Sequence, residues 1–226
     1  MLAAGLFLVS AGLQLAASLE RWVVARDAWT RTDLWVEDHR FDYSFPADPW
    51  ENLGAAAEMF GAGTVLLALG IMAMTRAVEG SVDGLIGLLA GVTAAGFAVS
   101  GLHALLSGLI DAPSPLQFLP VQLFLGAIGF VGLGILASIW WRASPATAVA
   151  CVMLLGATLP GTLLAAFQIA PAIVGSQSYD TTAWTETIVA AVPGGAGLAM
   201  LTAAAAAALP RGVARRPRNL SAASGG

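Results

Sequence analysis

The chain contains no lysine, one cysteine, two histidines and two tyrosines, and only 11% of its residues are charged. Each shortage excludes something. A water-soluble domain carries roughly 25% charged residues, so this chain cannot coat a globule with charge. A formal charge of −4 argues against a nucleic-acid partner, which needs a basic surface to neutralise phosphates. The lone Cys151 excludes an intramolecular disulfide, and its apolar setting says nothing about redox compartment. No H-x-x-x-H or C-x-x-C spacing occurs, so neither a metal nor another cofactor is expected.

What the chain has in excess is oil: 58% of it is hydrophobic and the mean hydropathy is +0.79. Apolar runs of about 20 residues recur, the length needed to cross a hydrocarbon core of ~30 Å. Six such segments are predicted, near residues 2–19, 54–74, 84–110, 119–141, 145–170 and 186–209. Spanning segments must satisfy their own backbone, and these lack the alternation of barrel strands, so they are read as helices. The fold class is therefore all-α, a polytopic integral membrane bundle of about six helices. Residues 1–210 form one transmembrane domain, with 20–53 as an ordered extracytoplasmic loop and 211–226 as an Arg-rich, disordered cytoplasmic tail. The first segment lacks a basic start and an A-x-A-like site before Glu20, so it is read as a retained span. Pro160-Gly161 and Pro193-Gly194-Gly195 predict kinks in the last two segments.

Arginine placement sets the orientation. With the N-terminus inside, Arg76, Arg142, Arg211, Arg215, Arg216 and Arg218 are internal, against Arg21, Arg26, Arg31 and Arg40 outside. The internal excess puts both termini in the cytoplasm. All ten basic residues are arginine, and alanine and glycine are abundant, which reads as a bacterial plasma-membrane protein from a GC-rich genome.

The first outer loop carries eight carboxylates (Glu20, Asp27, Asp33, Glu37, Asp38, Asp42, Asp48 and Glu51). Its end, Asp48-Pro49-Trp50-Glu51, matches a helix entrance with Asp48 as N-cap and Glu51 closing a capping box. Upstream, His39, Phe41, Tyr43 and Phe45 alternate with polar residues, which predicts a short extended segment. That segment, with His39, Asp42 and Tyr43, is expected to cover the helix ends. Trp22 and Trp29 share a face if the first helix continues past the membrane. A metal on Glu37, Asp38, His39 and Asp42 is disfavoured, because neighbours on an extended strand point to opposite faces.

Polar side chains inside spans are costly and are candidate functional groups. Here they are Gln14, Glu58, His103, Gln122 and Gln168, all toward the outer ends of their helices. Together they predict an outward-open polar pocket. Glu58 and His103 lie at similar depth, roughly 10 Å in at 1.5 Å per residue, and would pair if their helices touched. Ser100 sits three residues before His103, but no G-x-S-x-G elbow accompanies them, so Ser100 is expected to bond its own helix backbone. Gly132-Leu133-Gly134-Ile135-Leu136-Ala137 imitates a dinucleotide fingerprint mid-span, without the strand before it or the helix start it requires. Gly80, Gly84, Gly87 and Gly91, with Ala95, make a close-packing stripe on the third helix, for a neighbour in the bundle, a membrane-protein partner or a second copy.

Phe41-Asp42 with Trp50-Glu51 is echoed faintly by Tyr179-Asp180 with Trp184 and Glu186, which convergent needs at helix entrances explain. The expectation is a non-catalytic accessory or scaffold protein in the lipid bilayer. The alternative is a small-solute transporter or channel using the outer pocket, and an enzyme is disfavoured because too few catalytic side chains converge.

Overall fold

The computed structural model describes residues 1–28, 39–79, 84–175 and 182–208. The expectations for Glu37, Asp38, Gly80, Tyr179, Asp180, Trp29 and the Arg-rich tail lie outside these residues. Within them every regular element is helical. Helix α1 (Leu2–Leu19) continues into a π-helical turn, Glu20–Val24, and a 3-10 turn, Arg26–Ala28. Then come α2 (Ala56–Glu79), α3 (Gly84–Ile110) and α4 (Leu119–Trp140). A broken leg follows: α5 (Pro145–Leu154), α6 (Leu159–Leu164), a π turn Ala165–Ile169 and α7 (Ala170–Val174). Helix α8 (Thr185–Ala208) ends the described chain.

Five helices, α1 to α4 and α8, are long and apolar enough to cross a membrane, and the broken leg makes a sixth if it counts as one span. The expected fifth span is thus two pieces bent by 68°. Proline supplies no N–H and cannot continue the ladder, so Pro160 leaves the preceding turn open. Thr158 is extended there, and the Leu155 carbonyl accepts both its hydroxyl at 2.6 Å and its N–H at 3.2 Å. Gly161 packs against the Gly156 backbone so tightly that a Cβ would collide with it. Pro193, by contrast, lies inside α8, which runs as one helix from 185 to 208.

The legs close into a ring. Helix α1 packs on α2, α2 on α3, α3 on α4, α4 on α5, α5 on α8, and α8 returns to α1. Small residues let the backbones approach, as in membrane bundles generally. At the α2–α3 crossing, a Cβ on Gly101 would stand 2.9 Å from both the Gly61 carbonyl and the Val65 nitrogen. Gly84 and Gly91 of the expected stripe do not make this crossing, since they have nothing within 4 Å where a Cβ would sit.

The two ends of the ring differ. Away from the 20–55 loop, Phe7, Leu67, Ile71, Met74, Leu133, Leu136, Trp140 and Leu154 are buried in one apolar cluster. If lipid surrounds this bundle, that core is held by dispersion and close packing more than by escape from water. The outside is apolar too, with Leu85, Leu88, Phe124 and Leu198 well exposed. Water tolerates such a continuous apolar face poorly.

The loop end departs from expectation in detail. The second helix starts at Ala56, not at Pro49. Glu51 is drawn back to Arg40 by an ion pair and by its own N–H, which donates to the Arg40 carbonyl at 2.8 Å. Asn52 takes over at the helix entrance: its Oδ1 accepts from the Ala57 N–H at 3.4 Å and its amide donates to Glu58 at 3.0 Å. Residues 39–45 are not extended either. The Asp42 carboxylate accepts from the Ser44 N–H and hydroxyl and from the Phe45 N–H, which folds the segment into a turn. Phe41 and Tyr43 are nevertheless both buried.

Candidate functional site

At the loop end the ring encloses a cavity of about 460 Å³. Every leg contributes to its wall, and residues 39 to 45 contribute to its roof. Gln14 comes from α1, Phe60 and Thr64 from α2, and Phe97 and Ser100 from α3. Gln122 and Leu123 come from α4, Thr158 and Thr162 from the broken leg, and Thr185 and Glu186 from α8. The interior is mixed, with apolar walls and a polar upper rim.

An ion pair dominates that rim. Arg21, on the π turn that prolongs α1, donates to Glu186 Oε1 at 2.5 Å. Trp22 Nε1 donates to Glu186 Oε2 at 2.8 Å, so both carboxylate oxygens are engaged. Ser18 and Thr187 hydroxyls meet at 2.6 Å just beside them. The guanidinium of Arg21 also lies 5.1 Å from the Trp22 ring centre and 5.9 Å from that of Tyr43. The Arg21 side chain is only 2% exposed, against 15% for Glu186. A buried charge this deep requires a partner, and the wide π turn supplies it by turning Arg21 toward the first turn of α8.

Tyr43 lies in this rim with 1% exposure, tilted against Phe60 at 5.5 Å between ring centres. Its hydroxyl stands next to Ser18 but has no partner in hydrogen-bonding geometry among the described residues. Burial raises its pKa well above the ordinary value of 10, with the Glu186 carboxylate adding to the rise and Arg21 opposing it. Tyr43 therefore stays a neutral phenol at physiological pH.

Lower down, Ser100 donates to Gln122 Oε1 at 2.7 Å, and Gln122 Nε2 donates to the Leu116 carbonyl at 3.1 Å. Ser100 thus bonds across to α4 and not to its own helix. The Gln14 amide donates to the Ser10 hydroxyl at 3.1 Å.

Of the five intramembrane residues expected to share a pocket, Gln14 and Gln122 line the cavity, as do His39, Asp42 and Tyr43 from the loop. Glu58, His103 and Gln168 do not. Glu58 lies over Gly108 of α3, bonded to Asn52, while Gln168 sits exposed on the π turn of the broken leg. The expected Glu58–His103 pair is absent, because both imidazole nitrogens are committed elsewhere. His103 Nε2 is 2.9 Å from the Pro46 carbonyl and Nδ1 is 2.7 Å from the Ser114 hydroxyl. A carbonyl can only accept, so Nε2 carries the proton. Ser107 accepts from the Ser114 N–H at 2.9 Å, and Phe45 packs on the imidazole at 5.2 Å. His103 is thus a latch joining α3 to two loops. It is fully buried, and it leaves Ser100 without a base.

Arg21 and Glu186 escaped the sequence reading, which assigned Arg21 to topology and Glu186 to a helix entrance. The one available signal was an arginine two residues past an apolar run, matched by a glutamate at the start of another. Nothing in the sequence pairs two residues 165 apart. Comparison with known proteins found no family model, curated protein or solved structure that matches this chain.

Proposed function

We propose that this chain is a multi-pass membrane protein that binds a small amphipathic solute in the roofed cavity. It would lie in a bacterial plasma membrane, with the loop end outside and both termini cytoplasmic. The observation that carries this reading is a chamber of about 460 Å³ walled by all six legs and shut at its far end by the apolar core. That volume falls in the range of small-ligand sites, which are mostly apolar with a few placed polar groups. A standing pore is disfavoured by Phe7, Ile71, Met74 and Trp140, which are buried together in the apolar cluster beyond the cavity.

The reading predicts selective access. In a Cys151→Ala background, Ser100→Cys should react with a membrane-impermeant thiol reagent applied from the loop side, while Ala137→Cys stays inert. Equal inertness of both would overturn it.

Two further readings have support. A carrier would need the far half to open, and the 68° break at Thr158 is a natural hinge for that. Reaction of Ala137→Cys from the far side during turnover would select it. A scaffold role, the first expectation from sequence, draws on the open space at Gly84 and Gly91 and on Leu85 and Leu88, 77% and 63% exposed. It accounts for that outer face but gives the chamber no purpose.

A further inference from the structure

We propose that the ligand is a protonated amine with a single apolar tail, and that it reaches the cavity sideways from the bilayer between α4 and α6. This rests on the solute-binding reading and names its ligand class and route.

The route follows from the broken leg. Helix α4 packs along α5, but the 68° bend turns the leg away, and α4 meets α6 at only a few points. Leu119 and Leu123 on α4 and Leu159 and Leu163 on α6 all line the cavity. The same four are 51%, 46%, 45% and 46% exposed. A side chain that both lines a chamber and faces the outside is the jamb of an opening. Gly126, one turn further along α4, also lines the cavity and has nothing within 4 Å of where its Cβ would be. All five are apolar, so the opening suits a hydrocarbon tail and not a hydrated ion.

The head-group chemistry follows from the rim. The charged groups lining the cavity are Arg21, Asp42 and Glu186, one positive against two negative, and Arg21 is already committed to Glu186. The described bonds of Asp42 all fall on Oδ1, which leaves Oδ2 as an acceptor. Tyr43 adds a hydroxyl that is 1% exposed and without a hydrogen-bond partner among the described residues, and a buried polar group of this kind is costly until something pairs with it. An ammonium group donates three hydrogen bonds and accepts none, which matches the acceptors left on Asp42 and Tyr43. The rings of Tyr43, Phe45 and Phe60 in the same lining suit a cation as well. By sequence the 20–53 stretch carries eight carboxylates against four arginines, an excess that favours cations over anions.

The test uses the full chain in zwitterionic lipid nanodiscs with two photoreactive probes of equal tail length, a diazirine-bearing dodecylamine and the corresponding dodecyl sulfate. Adducts are mapped by peptide mass spectrometry. The amine should label the 119–126 and 159–163 segments at least fivefold more than the sulfate. Tyr43→Phe and Asp42→Asn, both compatible with the fold, should each cut that labelling several-fold, and Gly126→Trp should cut it by closing the opening. Equal labelling of the cavity by both probes would overturn the amine assignment and leave the solute-binding reading standing. Undiminished labelling in Gly126→Trp would overturn the lateral route. Adducts of both probes confined to outward residues such as Leu85 and Leu88 would overturn the inference and the solute-binding reading together.

Discussion

Arg21 and Glu186 stand 2.5 Å apart, joining the exit of the first helix to the start of the last and closing the ring of legs at the rim of the cavity. Removing one member leaves a buried charge uncompensated, which costs about 3 kcal/mol or more in comparable sites. Glu186→Gln should therefore lower the thermal midpoint by several degrees in detergent or nanodiscs. Arg21→Met combined with Glu186→Leu should recover most of that loss, since a paired apolar replacement removes both desolvation penalties. A double variant less stable than the single one would show that the pair stabilises the ring beyond mutual compensation.

Tyr43 makes a test by alkali. Its pKa is raised in the folded protein, so the folded state holds its proton over a range where the unfolded chain, near 10, releases it. The associated stability is fully present below about pH 10 and is lost as pH rises from there through the folded value. Tyr43→Phe should flatten the alkaline limb of a stability–pH curve while leaving neutral stability unchanged or slightly improved, because the lost hydroxyl has no partner. The chain has no lysine, and a Cys151→Ala background removes the thiol that would otherwise titrate in the same range.

The latch can be tested apart from the rest of the bundle. His103→Ala would leave the Pro46 carbonyl without its bond and remove the contact with Ser114, at about 1–3 kcal/mol for each buried group left unsatisfied. Hydrogen exchange should accelerate at residues 42–48 and 112–117, with α1 and α5 unaffected. Uniform acceleration along the chain would mean that His103 supports the bundle and not merely its roof.

Two glycines should behave oppositely. Gly101→Ala places a methyl 2.9 Å from backbone atoms of α2, which cannot step aside, so it should be markedly destabilising. Gly91→Ala, inside α3, meets open space and should gain up to about 1 kcal/mol from helix propensity alone. If Gly91→Leu, with the fold intact, converts an oligomer to monomers on size-exclusion chromatography, the outer stripe is an interface and the scaffold reading gains ground.

The helices were legible because the length of an apolar run is a one-dimensional property. Five long apolar helices lie close to where hydropathy alone puts them, and Pro160 marks the region where the fifth segment breaks. What escaped was decided by contacts between distant segments. Asp48, Pro49 and Glu51 satisfy a local capping rule, yet Arg40 captures Glu51 and the helix waits for Asn52. Glu58 and His103 share a depth, but Pro46 and Ser114 reach the imidazole first. The glycine stripe on α3 has helical spacing, while the crossing with α2 uses Gly101 on another part of the same helix. Periodicity says which residues share a face, but not which face finds a neighbour.

Closure of the ring by its first and last members also sets an order of manufacture. A chain made from its N-terminus exposes Arg21 long before Glu186, 165 residues later, exists to receive it. Until then the Arg21 charge must be kept in contact with water, and the chamber has one wall missing. The chamber is therefore complete only when α8 docks, so a product stalled before Glu186 would lack that wall.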